Sequence, residues 1–111
     1  MDISAEQIGG QLVARVRDDR IDAASAIRFK DRMREIGQLP GDPVILDLSR
    51  VGFLDSSGLG AVVEVMKMLG PDRRLELAGL TPNVLKVFRL TRMDSVFILH
   101  EVVPAGMRNA G

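Results

Sequence analysis

Between Asp42 and Ser49 the chain reads Pro43-Val44-Ile45-Leu46-Asp47-Leu48, and the run Val44 to Leu48 is too uniformly apolar to turn one side to water. Such a run fits a strand covered on both faces, so Val44 to Leu48 is expected to be the central strand of a sheet. What lies on either side has to supply its neighbours and its cover. Upstream, Glu6-Gln7-Ile8 and Gln11 to Arg17 are short extended pieces flanking Gly9-Gly10, a pair suited to the positive φ angles of a two-residue turn, which predicts an opening hairpin. Asp22 then reads as an N-cap, with Ala26, Phe29, Met33 and Ile36 at spacings of three and four and Gly37 as the stop of a first helix. The loop Gln38 to Asp42, with Pro40, leads into the central strand.

Downstream, Leu59, Val62, Val63, Met66 and Leu69 fall on one face of a second helix from Ser56 to Leu69, ended by Gly70-Pro71. Leu75 and Leu77, extending toward Gly79-Leu80, predict a short strand. Thr81-Pro82 is an N-cap followed by a proline at the first helical position, so a third helix is expected to about Leu90. Val96 to Leu99 is a last apolar strand, and Pro104, Gly106 and Gly111 argue against a long closing helix. The order hairpin, helix, strand, helix, strand, helix, strand predicts an α/β domain. Its sheet should have about five strands and one antiparallel edge, and the helices should provide right-handed crossovers.

The 111 residues, 46% of them hydrophobic, suit one continuous core and hence a single domain over 1–111. No internal repeat, low-complexity tract or linker divides them. With no cysteine there is no disulfide framework, thiolate metal site or thiol nucleophile, and a reducing cytoplasm is the expected compartment. Met1 to Glu6 is acidic and polar where a signal peptide would be basic and then apolar. No apolar run approaches the roughly 20 residues that span a bilayer, so a soluble protein without membrane insertion is expected. Fifteen basic residues balance fifteen acidic ones, and the few aromatic residues are all Phe, which argues against a nucleic-acid ligand.

The segment most suited to chemistry is Asp55-Ser56-Ser57-Gly58-Leu59-Gly60, small and polar at the mouth of the second helix. Free backbone amides and the positive end of the helix dipole favour an anion there, so a phosphate added to a serine would be locally stabilised. On physical grounds alone capping is the better account of the same residues: Asp55 or Ser56 closes the helix and the glycines permit close packing. An enzyme reading fares worse. There is no G-x-S-x-G elbow and no evident base to activate Ser56 or Ser57, and His100, the only histidine, lies far along the chain. The phosphate-binding loop pattern G-x-x-x-x-G-K-[ST] is also missing. The basic sets Arg28, Lys30, Arg32, Arg34 and Lys86, Arg89, Arg92 read as solvated helix surface. Met66 and Met68 suit adaptable contacts, at least one of them being core.

The run VILDLSRVGFLDSSGLGAVV closely resembles the signature of STAS anti-sigma-factor antagonists, in which a strand ending in Asp-Leu-Ser precedes a D-[ST]-[ST]-G-[LIV]-G helix start. Arg20 to Ala26 resembles the family's entry to its first helix. Leu80 to Val84 and Leu90 to Phe97 resemble its third helix and last strand. The resemblance implies a STAS-like mixed sheet with a short or absent fourth helix. It also implies a non-enzymatic, phosphorylation-controlled switch that needs no cofactor of its own. In such a switch the serine before the first glycine, Ser57 here, accepts phosphate, with Ser56 its neighbour and Asp55 the acidic residue beside it. Asp22, Asp55, Ser56, Ser57, Gly58 and Leu59 become the expected partner-binding set. The implied partners are an anti-sigma factor that is also an ATP-binding serine kinase, and a serine phosphatase that acts on the phosphorylated form. Two alternatives remain: a non-switching STAS subunit of a membrane transporter, and a partner-switching regulator of secretion or signalling without a sigma factor. Arg92 stands where the family often has glycine.

Overall fold

A computed structural model describes residues 1–105. The opening hairpin is present: β1 (Ile3–Ile8) and β2 (Gln11–Val16) pair antiparallel. Gly9 and Gly10 have φ angles of 56° and 86°, as a turn matched to the twist of its strands requires. After β3 (Arg20–Ile21) come α1 (Ala26–Ile36), β4 (Val44–Asp47), β5 (Phe53–Leu54) and α2 (Ser56–Leu69). The chain continues through β6 (Leu75–Ala78), α3 (Pro82–Leu90), a single 3-10 turn (Met93–Ser95) and β7 (Leu99–His100).

The main sheet has the order β1-β2-β4-β6-β7, with β4 in the middle and every pairing but the first parallel. Side-chain alternation along β4 explains its apolar run. Val44 and Leu46 enter the large core beside Leu12, Ala14, Phe29, Met33 and Leu77. Ile45 joins Val13 and Ala78 on the opposite face, where Ile8 and Val103 pack over them. From α1, Phe29, Met33 and Ile36 are fully buried, each contributing about 1.5 to 3 kcal/mol of transfer free energy. The single histidine is structural: His100 Nε2 lies 2.7 Å from Oε1 of Glu76, a carboxylate buried on the second face.

Four details depart from the sequence reading. Asp22 is not the N-cap of α1. That position belongs to Ser25, whose hydroxyl makes no capping bond. The segment from Ala23 to Ser25 winds first as a separate turn, closed by Asp22: its carboxylate accepts from the Ala24 amide (3.1 Å) and its carbonyl from the amides of Ser25 and Ala26. On α2, the buried residues are Gly58, Ala61, Val62 and Val65, while Leu59, Val63, Met66 and Leu69 flank them, half-buried. The helix turns its small residues to the sheet because it lies close to β3, as the site geometry shows below. The last strand is shorter and later than Val96–Leu99. Arg92 takes a left-handed φ of 61°, the 3-10 turn follows, and Phe97 enters the core to meet Phe88 edge-on at 5.9 Å. Only Leu99 and His100 then align with Leu77 and Ala78. Finally, β3 and β5 form a separate two-stranded parallel ribbon that periodicity did not indicate.

Among the described residues no helix is long and apolar enough to cross a membrane. Glu101 to Ala105 is not helical. The remainder of the predicted helix-free tail, 106–111, lies outside the described residues.

Candidate functional site

The ribbon brings together two loops that are distant in sequence. Register pairs Arg20 with Phe53 and Ile21 with Leu54. Ile21 and Leu54 point into the core, and Arg20 and Phe53 face outward. Backbone bonds from Gly52 and Phe53 to the Asp19 carbonyl fasten one end of the ribbon. The Thr81 hydroxyl, instead of capping α3, donates to the Val51 carbonyl at 2.7 Å and steadies the loop that leads into β5.

Asp55 follows directly, with extended backbone (φ −98°, ψ −174°) as an N-cap requires. Its Oδ1 accepts the Gly58 amide at 2.8 Å and its carbonyl accepts the Leu59 amide at 2.9 Å. Its Oδ2 accepts the Ala23 amide at 3.1 Å, so one carboxylate caps α2 and also ties it to the turn that follows Asp22. Of the two capping candidates, Asp55 is therefore the cap.

Gly58 is buried, and the reason is steric. A β-carbon added there would come within 2.2 Å of the Ile21 carbonyl oxygen and 2.9 Å of its carbon. Backbone against backbone cannot yield, so only glycine lets the first turn of α2 rest on β3. Gly60 differs: a β-carbon there would meet nothing within 4 Å.

Ser56 and Ser57 occupy the first turn, both exposed. Among the described residues neither hydroxyl makes a hydrogen bond, and the amides of both serines find no acceptor. The geometry thus presents two hydroxyls on a helix turn held by Asp55 and by the close approach of Gly58 to Ile21, at the end of a helix whose dipole favours negative charge. Among the described residues no side chain is hydrogen-bonded to either hydroxyl as a base would be, so the arrangement suits modification by an outside agent better than self-activation.

Of the six residues expected at a partner surface, the fold gathers all around one helix mouth, in different roles. Ser56 and Ser57 are open. Asp22 and Asp55 are half-buried and engaged in backbone bonds, Gly58 lies beneath the surface, and Leu59 packs on the core. Two outward residues were missed. Arg20 stacks on Phe53, its guanidinium 4.9 Å from the ring centroid, and its Nη1 lies 3.6 Å from Asp22 Oδ2. The one available signal was the repeat of an outward residue before an apolar one in Arg20-Ile21 and Phe53-Leu54, and two-residue strands are too short to register it.

A family model, the STAS domain, matches residues 2–105. The chain belongs to the STAS domain family. Among curated relatives, the anti-sigma-B factor antagonist of Listeria monocytogenes is 29% identical over 83 residues, which cover 74% of this chain and 73% of that protein. The fold is shared with a solved STAS-domain anti-sigma-factor antagonist from Planctomyces limnophilus. There the TM-score is 0.83 at 19% identity, covering 93% of this chain and 92% of the other. It is also shared with the Bacillus cell fate determinant SpoIIAA, solved in its phosphorylated form, with a TM-score of 0.62 at 22% identity, covering 88% and 90%.

Proposed function

We propose that this protein is a phosphorylation-controlled anti-sigma-factor antagonist. Its unphosphorylated form binds an anti-sigma factor that is also an ATP-binding serine kinase, and phosphorylation on Ser57 ends that contact. The observation that carries the reading is the exposed, unpartnered Ser57 hydroxyl on a helix turn fixed by Asp55 and Gly58. The relative named as an antagonist, and the SpoIIAA structure in a phosphorylated form, support it.

The switch needs no rearrangement of the domain. A phosphate adds about −1.5 to −2 charges where a neutral hydroxyl stood, and opposing or burying that charge at an interface can cost several kcal/mol. A contact of micromolar affinity, about 8 kcal/mol in all, would be lost. The nucleotide and its magnesium ion belong to the kinase, and a serine phosphatase would restore the binding form.

The test is to recover the protein with its partner from its native lysate, identify that partner, and map phosphate by mass spectrometry with and without ATP. Phosphate on Ser57 and capture of an ATP-binding kinase are expected. Phosphate on Ser56 alone would contradict the residue assignment. Copurification with a membrane transporter, indifferent to Ser57 substitution, would replace the reading altogether.

A further inference from the structure

The outward side of the β3–β5 ribbon carries a pair of side chains that the core does not need. Phe53 is 45% exposed, and the Arg20 side chain stacked on it is 58% exposed. A surface arginine ordinarily samples many rotamers. Here the ring below and the Asp22 carboxylate at 3.6 Å both restrain it, so less freedom is left to lose when something binds. Exposed arginine and aromatic residues gathered in one place are also the types that most often dominate interface energetics. The pair is continuous with the helix mouth. The residue after Arg20 is Ile21, whose carbonyl Gly58 rests on, and Phe53-Leu54 runs directly into Asp55.

We propose that Arg20, laid on Phe53, is a specificity-determining docking residue that takes an acidic side chain of the partner beside Ser57, with Asp22 as the positioning residue that holds it. This rests on the reading of the helix mouth as the partner contact. The ion pair at 3.6 Å, between a largely exposed Arg20 and a half-buried Asp22, engages one nitrogen and leaves the other guanidinium N–H groups for a better-placed carboxylate. The open Phe53 ring would cover the aliphatic stem of that residue. A lysine or arginine at the same place on a partner would meet like charge and be refused, so the pair selects among related partners by sign.

The experiment is calorimetric titration with the purified anti-sigma factor kinase, at low and at high salt. Arg20→Glu is expected to weaken binding at low salt by roughly tenfold or more, and less at high salt. Arg20→Lys, which keeps the charge and loses the plane, should fall between Arg20→Glu and the parent. Phe53→Ala should lose roughly threefold to tenfold. Asp22→Asn should lose a few-fold in the parent and nothing further in an Arg20→Ala background, a coupling that a merely structural role would not produce. Far-UV circular dichroism confirms folding, and if Arg20→Glu fails that check, Arg20→Gln replaces it. Parental affinity for both Arg20→Glu and Phe53→Ala, with Ser57→Asp impaired, would overturn the docking proposal and leave the switch standing. Unimpaired binding by Ser57→Asp would overturn the switch itself, and the docking proposal with it.

Discussion

The carbonyl oxygen of Ile21 lies where the side chain of any residue other than glycine at position 58 would begin, 2.2 Å from an ideal β-carbon. Gly58→Ala must push α2 off β3, at a cost of about 2 to 4 kcal/mol by comparison with overpacked interiors. Gly60→Ala, two residues on with open space around it, should raise stability by about 0.5 to 1 kcal/mol. Urea denaturation of both variants checks the pair, and equal midpoints would show that the close approach is not a constraint.

Asp55 is the hydrogen-bond acceptor shared by α2 and the turn after Asp22. Asp55→Ala removes a cap, for about 1 kcal/mol, and also frees the Ala23 amide. A thermal melt should show the loss. Amide hydrogen exchange should show faster opening at Ala23 and Gly58 together, and protection lost at Gly58 alone would mean that the two loops are not tied through this carboxylate.

Under the proposed switch, Ser57→Ala should bind the partner kinase constitutively and Ser57→Asp weakly, a difference of roughly tenfold or more for charge placed at an interface. Both substitutions sit on an exposed first turn, so stability should change by less than about 1 kcal/mol. Calorimetry with the partner and a denaturation curve for each variant separate affinity from folding. Equal affinity of the two variants would sink the mechanism.

Arg92 holds a left-handed backbone at φ 61°, a conformation costing a non-glycine residue about 1 to 2 kcal/mol. Arg92→Gly relieves that strain and gives part of it back as unfolded-chain entropy, so a net gain of about 0.5 to 1 kcal/mol is expected. The denaturation midpoint measures it.

The order of the hairpin, the three helices and the inner strands β4 and β6 was legible in the sequence because strong local punctuation bounds them: Gly9-Gly10, Gly70-Pro71 and Thr81-Pro82 frame segments whose element type the periodicity shows. The rotation of α2 was not legible, since it is set by a contact between Gly58 and a carbonyl on another strand, and counting large apolar residues overlooks a face built from Gly58 and Ala61. Val96-Phe97-Ile98-Leu99 looks like a strand by composition, and nothing local shows that Phe97 leaves the 3-10 turn to meet Phe88. At the site, the cap of α2 by Asp55 is a short-range pattern and could be read. Its bond to Ala23 and the stacking of Arg20 on Phe53 arise only when β3 and β5 pair. The choice of Ser57 came from resemblance, and the geometry adds the fixed turn on which it stands.

Both oxygens of Asp55 receive a backbone amide, so the carboxylate that caps α2 also holds it to the turn after Asp22. Under the proposed switch, the lifetime of the binding form would be set by the catalytic constants of the kinase and the phosphatase, and substitutions in this chain would tune who calls and how firmly, leaving the clock elsewhere.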